Sequence, residues 1–158
     1  MITEVIPIAM KKSELMAILD AHDDVRNSAT PEGFDLELAI NRFHSFLAAL
    51  NKSLGSDLRS EAGGQVEDAT FHSQVFLSDA EDDICFIRFS NFGDMVSVYS
   101  DNEIEHEVNE LLMSLFEQHN YKYLPFAKVA IEYTGHNSGE IGIDTWWSRY
   151  FGWICHES

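Results

Sequence analysis

The sequence has few basic residues, few cysteines and no long apolar run, and each shortage excludes a class of protein. Its 10 Lys and Arg residues stand against 27 Asp and Glu, which gives a formal net charge of −17 at pH 7. A field of that sign repels nucleic acid and anionic lipid, so neither is an expected partner. No apolar run approaches the ~20 residues needed to cross a bilayer, and the first residues do not resemble a signal peptide.

The shortage of cysteine and the spacing of histidine exclude the common metal and disulfide frameworks. Cys85 and Cys155 are too few for a disulfide scaffold, and the 7 histidines show no ligand spacing. The segment His106–Glu110 resembles a metalloprotease helix but has glutamate in place of the second histidine. No nucleophile elbow, phosphate loop or dinucleotide fingerprint is present. The sequence therefore predicts no metal and no cofactor, gives no positive support for catalysis, and favours a reducing, cytoplasmic location.

The hydrophobic pattern predicts a single α+β domain over residues 1–158. A chain of 158 residues with 45% hydrophobic content is long enough to bury one core. Helical spacing predicts a first helix from Ser13, a second from Thr30 to a stop at Gly55, and a third from Asp101 or Asn102 to about His119. The second carries Phe43, Phe46 and Leu50 on its apolar stripe, which we expect to be buried.

Alternating and continuous apolar runs predict the strands. They are expected at Phe71–Leu77, Ile84–Ser90, Met95–Tyr99, Leu124–Tyr133 and Thr145–Ile154. The polar stretch Ser56–Asp68 is interpreted as a mobile connection. The expected order is α-α-β-β-β-α-β-β, with a mostly antiparallel sheet of about five strands packed against two or three helices.

The stretch Thr145–Ile154 holds all 3 tryptophans of the chain and one arginine among them. Arg149 there and Arg88 in an earlier strand each lie among aromatic residues, where a charge needs a partner or a stacking ring. Two interpretations stay open. Each arginine pairs with a carboxylate and stabilises the sheet, or Arg88 and Arg149 form an anion-binding site with Trp147 and Tyr150 in a small-ligand protein or enzyme.

The negative charge is concentrated in the middle of the chain, and this carries the functional prediction. Residues 61–120 hold 14 acidic side chains and one basic side chain. Two groups are expected on the surface: Asp79, Glu81, Asp82 and Asp83 on a turn, and Glu103, Glu107 and Glu110 on the outer face of the third helix. Such a surface suits a non-enzymatic protein that covers a basic protein partner, as inhibitors and immunity proteins cover a toxin such as a nuclease. The alternative is that the acidity only maintains solubility.

Overall fold

The computed structural model describes residues 11–23, 29–66, 68, 70–137 and 143–154, which form a five-stranded sheet with helices on both faces. The strands are β1 (Ser60–Ala62), β2 (Phe71–Ala80), β3 (Asp83–Ser90), β4 (Met95–Ser100) and β5 (Lys122–Tyr123). The helices are α1 (Lys12–Ala21), α2 (Leu36–Leu54), α3 (His106–Gln118), α4 (Phe126–Val129) and α5 (Trp146–Phe151), with a 3-10 turn at Gly63–Gln65. The predicted α+β class is confirmed.

The strands lie in the sheet in the same order as in the sequence. Strands β1 to β4 pair antiparallel, and β5 pairs parallel to β4 after the chain has crossed through α3. The β2–β3 hairpin closes at the Ala80–Asp83 pair, so Glu81 and Asp82 form its turn. The prediction of a mostly antiparallel sheet is therefore confirmed, with three of its strands within residues 71–100.

Helix α2 shows how local sequence sets an element of this fold. Its N-cap is Asp35, whose carboxylate accepts a hydrogen bond from Leu38 N at 3.1 Å. The helix ends at Gly55, which has the left-handed φ of 66° that glycine adopts without strain. The stop at Gly55 was predicted correctly. The start at Thr30 was wrong, because residues 31–33 form a turn and Asp35 supplies the cap.

Two hydrophobic cores lie on opposite faces of the sheet. The first core holds the stripe of α2, the inner side of α3 and one face of the strands; Phe43, Phe46 and Leu50 are fully buried in it, as predicted. The second core holds α1, α4 and α5 against the other face, with Trp147 and Phe151 buried in it. Full burial of a large apolar side chain contributes about 1.5–3 kcal/mol, so these aromatic groups anchor both layers.

The two last predicted strands were wrong. Residues 124–133 contain the short helix α4, which follows Pro125 as N-cap, and residues 146–151 form α5. The two segments are joined by one isolated antiparallel β-bridge, between Glu132 and Thr145. Helix α5 begins with a capping box, since Thr145 Oγ1 accepts from Ser148 N at 3.1 Å and Ser148 Oγ accepts from Thr145 N at 3.0 Å. Aromatic residues on every side fit a buried helix as well as a buried strand.

Three smaller differences concern element boundaries. Helix α1 begins at Lys12 after the N-cap Lys11, rather than being capped by Ser13. Helix α3 begins at His106, because Asp101 is bonded to β3 and does not cap it. The predicted connection Ser56–Asp68 contains the edge strand β1. Cys155 lies outside the described residues.

Candidate functional site

The two acidic groups predicted from the sequence lie side by side at one end of the sheet. In an antiparallel sheet the end of β2, the start of β3 and the end of β4 meet at the same edge. Asp101 N donates to the Ile84 carbonyl at 2.8 Å, and Ile84 N donates to Asp101 Oδ2 at 3.1 Å. Asn102 Nδ2 donates to Asp83 Oδ1 at 2.9 Å. These bonds hold the β2–β3 turn against the segment that leads into α3.

We call this surface the acidic end. Its members are carboxylate residues that are all exposed: Asp79, Glu81, Asp82, Asp83, Asp101, Glu103, Glu105, Glu107 and Glu110. The sequence prediction missed Asp101 and Glu105. Their signal was present in the same acidic run, but Asp101 was interpreted as a helix cap. The exposure of all these groups follows from the high cost of burying carboxylates together.

Several members of the acidic end have polar contacts with neighbouring side chains. Tyr99 Oη donates to Asp101 Oδ1 at 2.7 Å. Burial, and secondly this bond, raises the pKa of Tyr99 to about 12, so the phenol stays a donor at neutral pH. Arg59 pairs with Asp79 at 2.8 Å, and His106 lies 3.2 Å from Glu110 one helical turn away. Asp79, Asp101 and Glu110 therefore each have a polar partner in the folded chain.

Arg149 is fully buried in an ion pair with Asp23. Its Nε lies 2.8 Å from Asp23 Oδ1, and its guanidinium lies over Phe92, with its Cζ 4.6 Å from the ring centroid. Burial alone would raise the pKa of Asp23. Hydrogen bonds from His136 N, Arg149 and further donors outweigh it and lower that pKa. Asp23 is thus a saturated internal partner for the arginine.

Arg88 is buried on the same face of the sheet and also has internal partners. Its Nε donates to Gln74 Oε1 at 2.9 Å, and its Nη1 donates to the carbonyls of Phe151, at 2.9 Å, and Trp153. Its Cζ lies 4.4 Å from the Phe71 ring centroid. Arg88 therefore ties the sheet to the end of α5 through bonds that use its planar fork.

The other two residues of the predicted ligand site are packed around α5. Trp147 contacts Phe126 edge-on, with ring centroids 4.7 Å apart. Tyr150 Oη donates to the Leu19 carbonyl at 2.5 Å, and burial raises the pKa of this phenol. The structure places Arg88, Arg149, Trp147 and Tyr150 near one helix, but gives each of them contacts inside the protein.

A groove of about 350 Å³ opens on the second face of the sheet beside the acidic end. We call it the Arg59 groove. Its lining residues are Arg59, Glu61, Gln74, Phe76, Asp79, Ile84, Phe86 and Arg88. It contains Arg88 but not Arg149, so it is not the two-arginine site considered from the sequence.

A second cavity, of about 280 Å³, lies at the opposite end of the sheet. Arg42 lines it and bonds to Asp94 at 2.6 Å and to the His119 carbonyl at 2.8 Å. His72 lines the same cavity. Burial, and secondly the charge of Arg42, lowers the pKa of His72 to about 4, so its imidazole is neutral at pH 7.

The described residues offer no grouping for metal or thiol chemistry. Across them, no three His, Cys, Asp or Glu side chains are placed to hold a metal ion. Cys85 is buried, and this burial raises the pKa of its thiol to about 11, which suppresses the reactive thiolate. Within the described residues, no helix is both long enough and apolar enough to span a membrane.

No protein-family model matches the chain, and neither a curated protein nor a solved structure is significantly similar to it.

Proposed function

We propose that this chain is a non-enzymatic binding protein whose acidic end covers a basic protein partner. The observation that carries the proposal is the convergence of nine exposed carboxylate residues from the β2–β3 turn and the start of α3 on one edge of the sheet. Negative potential focused on one surface steers a positive partner and raises its association rate. The partner class that fits is a basic toxin such as a nuclease, which makes the chain an inhibitor or immunity protein.

The rigidity of the acidic end supports this function over simple solubility. Solubility needs negative charge anywhere on the surface. Here hydrogen bonds from Asn102 and Tyr99 hold two of the nine carboxylates, those of Asp83 and Asp101. Carboxylates held in this way lose less side-chain entropy when they bind a complementary surface. We place this function in the cytoplasm, where the free thiol of Cys85 would stay reduced.

The experiment measures association with the basic partner, captured first from the host at low salt and then purified. Two double variants reverse charge at the acidic end: Glu81→Lys with Asp82→Lys on the turn, and Glu107→Lys with Glu110→Lys on α3. We expect each to slow association about tenfold or more at low salt and to flatten its salt dependence, because steering depends on the local field.

The matched control reverses Glu32 and Glu37 to lysine at the opposite end of the molecule. Glu32 lines the second cavity, which also contains Arg42. Glu37 lies in the first turn of α2, as Glu107 lies in the first turn of α3. This control changes net charge by the same amount and should leave the rate close to wild type. Equal rates for all three double variants and wild type at every salt concentration would overturn the proposal.

A further inference from the structure

The Arg59 groove has the composition of a guanidinium receptor. Its floor is formed by Phe76 and Phe86, whose ring centroids lie 6.1 Å apart in an edge-on arrangement. Glu61 and Asp79 stand at its rim. A cation bound over an aromatic ring gains from the ring quadrupole, and flanking carboxylates add charge-assisted hydrogen bonds. Helices α1, α4 and α5 cover the rest of this face and leave the groove open.

One arginine of the chain already occupies this receptor. The Arg59 Cζ lies 3.8 Å from the centroid of Phe76, its Nε lies 2.8 Å from Asp79 Oδ2, and its Nη1 lies 3.6 Å from Glu61 Oε2. The Arg59 side chain nevertheless remains 51% exposed and that of Asp79 55% exposed. Solvent screens ion pairs of this kind, so they hold Arg59 in place only weakly.

The surrounding charge favours a second guanidinium over an anion. In the sequence, Arg88 is the single Lys or Arg between Arg59 and Lys122. Its buried donors are engaged by Gln74 and by carbonyl groups at the end of α5. When Arg59 turns into solvent, Glu61 and Asp79 remain beside Phe76, next to the acidic end. The local field then attracts a cation.

We propose that Arg59 is an internal occupant of this groove and that an arginine side chain of the basic partner replaces it. The inference rests on the proposed function and specifies its recognition element. Arginine is favoured over lysine because its planar fork can stack on Phe76 while it reaches both carboxylates, which a compact ammonium cannot do.

A peptide titration tests the groove without any partner protein. Acetyl-Gly-Arg-Gly-amide and its lysine counterpart are added at low salt to wild type, Arg59→Gln and Lys52→Gln, and the ring resonances of Phe76 and Phe86 are followed by NMR. Lys52→Gln is the matched control, because Lys52 is exposed on α2 and does not line the groove. Arg59→Gln should bind the arginine peptide about fivefold or more tightly than the other two proteins, since the internal competitor is gone.

The gain should be smaller for the lysine peptide and should disappear in Arg59→Gln combined with Phe76→Leu. Equal binding of the arginine peptide by Arg59→Gln and Lys52→Gln would overturn the inference. Weaker binding by Arg59→Gln would also overturn it, because Arg59 would then contact the ligand and not compete with it. Should Arg59→Gln fail to fold, Arg59→Lys serves in its place and must show a gain in the same direction. The titration involves no partner, and the double reversals at the acidic end leave Arg59, Glu61 and Asp79 intact, so the two proposals can fail independently.

Discussion

His72 is a polar side chain that the fold buries, and its burial has a cost in stability. The ring is 6% exposed, and its Nδ1 lies 2.7 Å from Ser73 Oγ. Phe34 and Phe89 have their ring centroids 6.1 Å and 6.3 Å from that of the imidazole. An apolar surrounding of this kind disfavours the charged form, so the native protein holds His72 neutral.

The lowered pKa of His72 predicts a loss of stability in mild acid. The unfolded chain takes up a proton near pH 6.5, whereas the native site does so only near its pKa of about 4. Stability should therefore fall as the pH drops below 6.5, by about 2 kcal/mol between pH 7 and pH 5. In denaturant unfolding, the free energy of unfolding of His72→Gln should fall less between pH 7 and pH 5 than that of wild type. His44 is exposed, and His44→Gln is the control. If His44→Gln reduced the fall in the free energy of unfolding as much as His72→Gln, the assignment to His72 would be contradicted.

At the scale of elements, α5 illustrates how a short helix is fixed by its ends and its contacts. Six residues cannot form a stable helix alone. The capping box at Thr145 and Ser148 starts it, and Gly152, with a φ of 76°, ends it. Trp146, Tyr150 and Phe151 fill the second core. The helix thus depends on both its cap and its burial.

Removal of the cap should cost a definite amount of stability. Thr145→Ala deletes the oxygen that accepts from Ser148 N and should reduce the free energy of unfolding by about 1 kcal/mol. Thr134→Ala is the matched control, because Thr134 is exposed and lies outside the helices and strands. Its effect should stay within about 0.5 kcal/mol. Urea unfolding measures the free energy of unfolding of both variants from the midpoint, provided that the slope is unchanged. Equal losses of stability in Thr145→Ala and Thr134→Ala would contradict the role of the cap.

Periodic patterns explain which elements the sequence predicted and which it did not. Phe43, Phe46 and Leu50 recur at helical spacing against polar neighbours, so both helix and burial could be inferred. Residues 146–151 are aromatic on all sides, which removes the periodic signal, and only the Thr145–Ser148 spacing indicated a helix. The pairing of Asp23 with Arg149 joins positions 126 apart, and nothing local in the sequence specifies such a contact.

At the scale of the whole molecule, nine of the 27 acidic side chains are exposed together at the acidic end. The exposure of the acidic groups followed from the cost of burying them, whereas their convergence depended on the antiparallel pairing of β2, β3 and β4. Arg42 and Asp94 form an ion pair at the opposite end of the sheet. Repulsion is therefore concentrated where the carboxylates meet.

This concentration predicts a salt-dependent stability. Wild type should become more stable as salt is added, because the Debye length falls to about 10 Å at 0.1 M and screens the repulsion. The Glu81→Lys, Asp82→Lys variant should be more stable than wild type at low salt by on the order of 1 kcal/mol, and this difference should vanish at high salt. Reversal of Glu32 and Glu37 to lysine should raise the stability at low salt by less. Thermal unfolding against ionic strength measures all three proteins, and equal gains would mean that only total charge matters.

The ion pair between Asp23 and Arg149 also has a consequence for the chain during its synthesis. Helix α1 buries Leu15 and Leu19 in the second core, and its carbonyl at Leu19 accepts from Tyr150. At translation rates of about 5–20 residues per second, roughly 6–25 s pass between the synthesis of Asp23 and that of Arg149, 126 positions later. The first core, built from residues 43–121, can close on the ribosome within that interval. Helix α1 is thus fixed late, although it is translated before the elements of the first core.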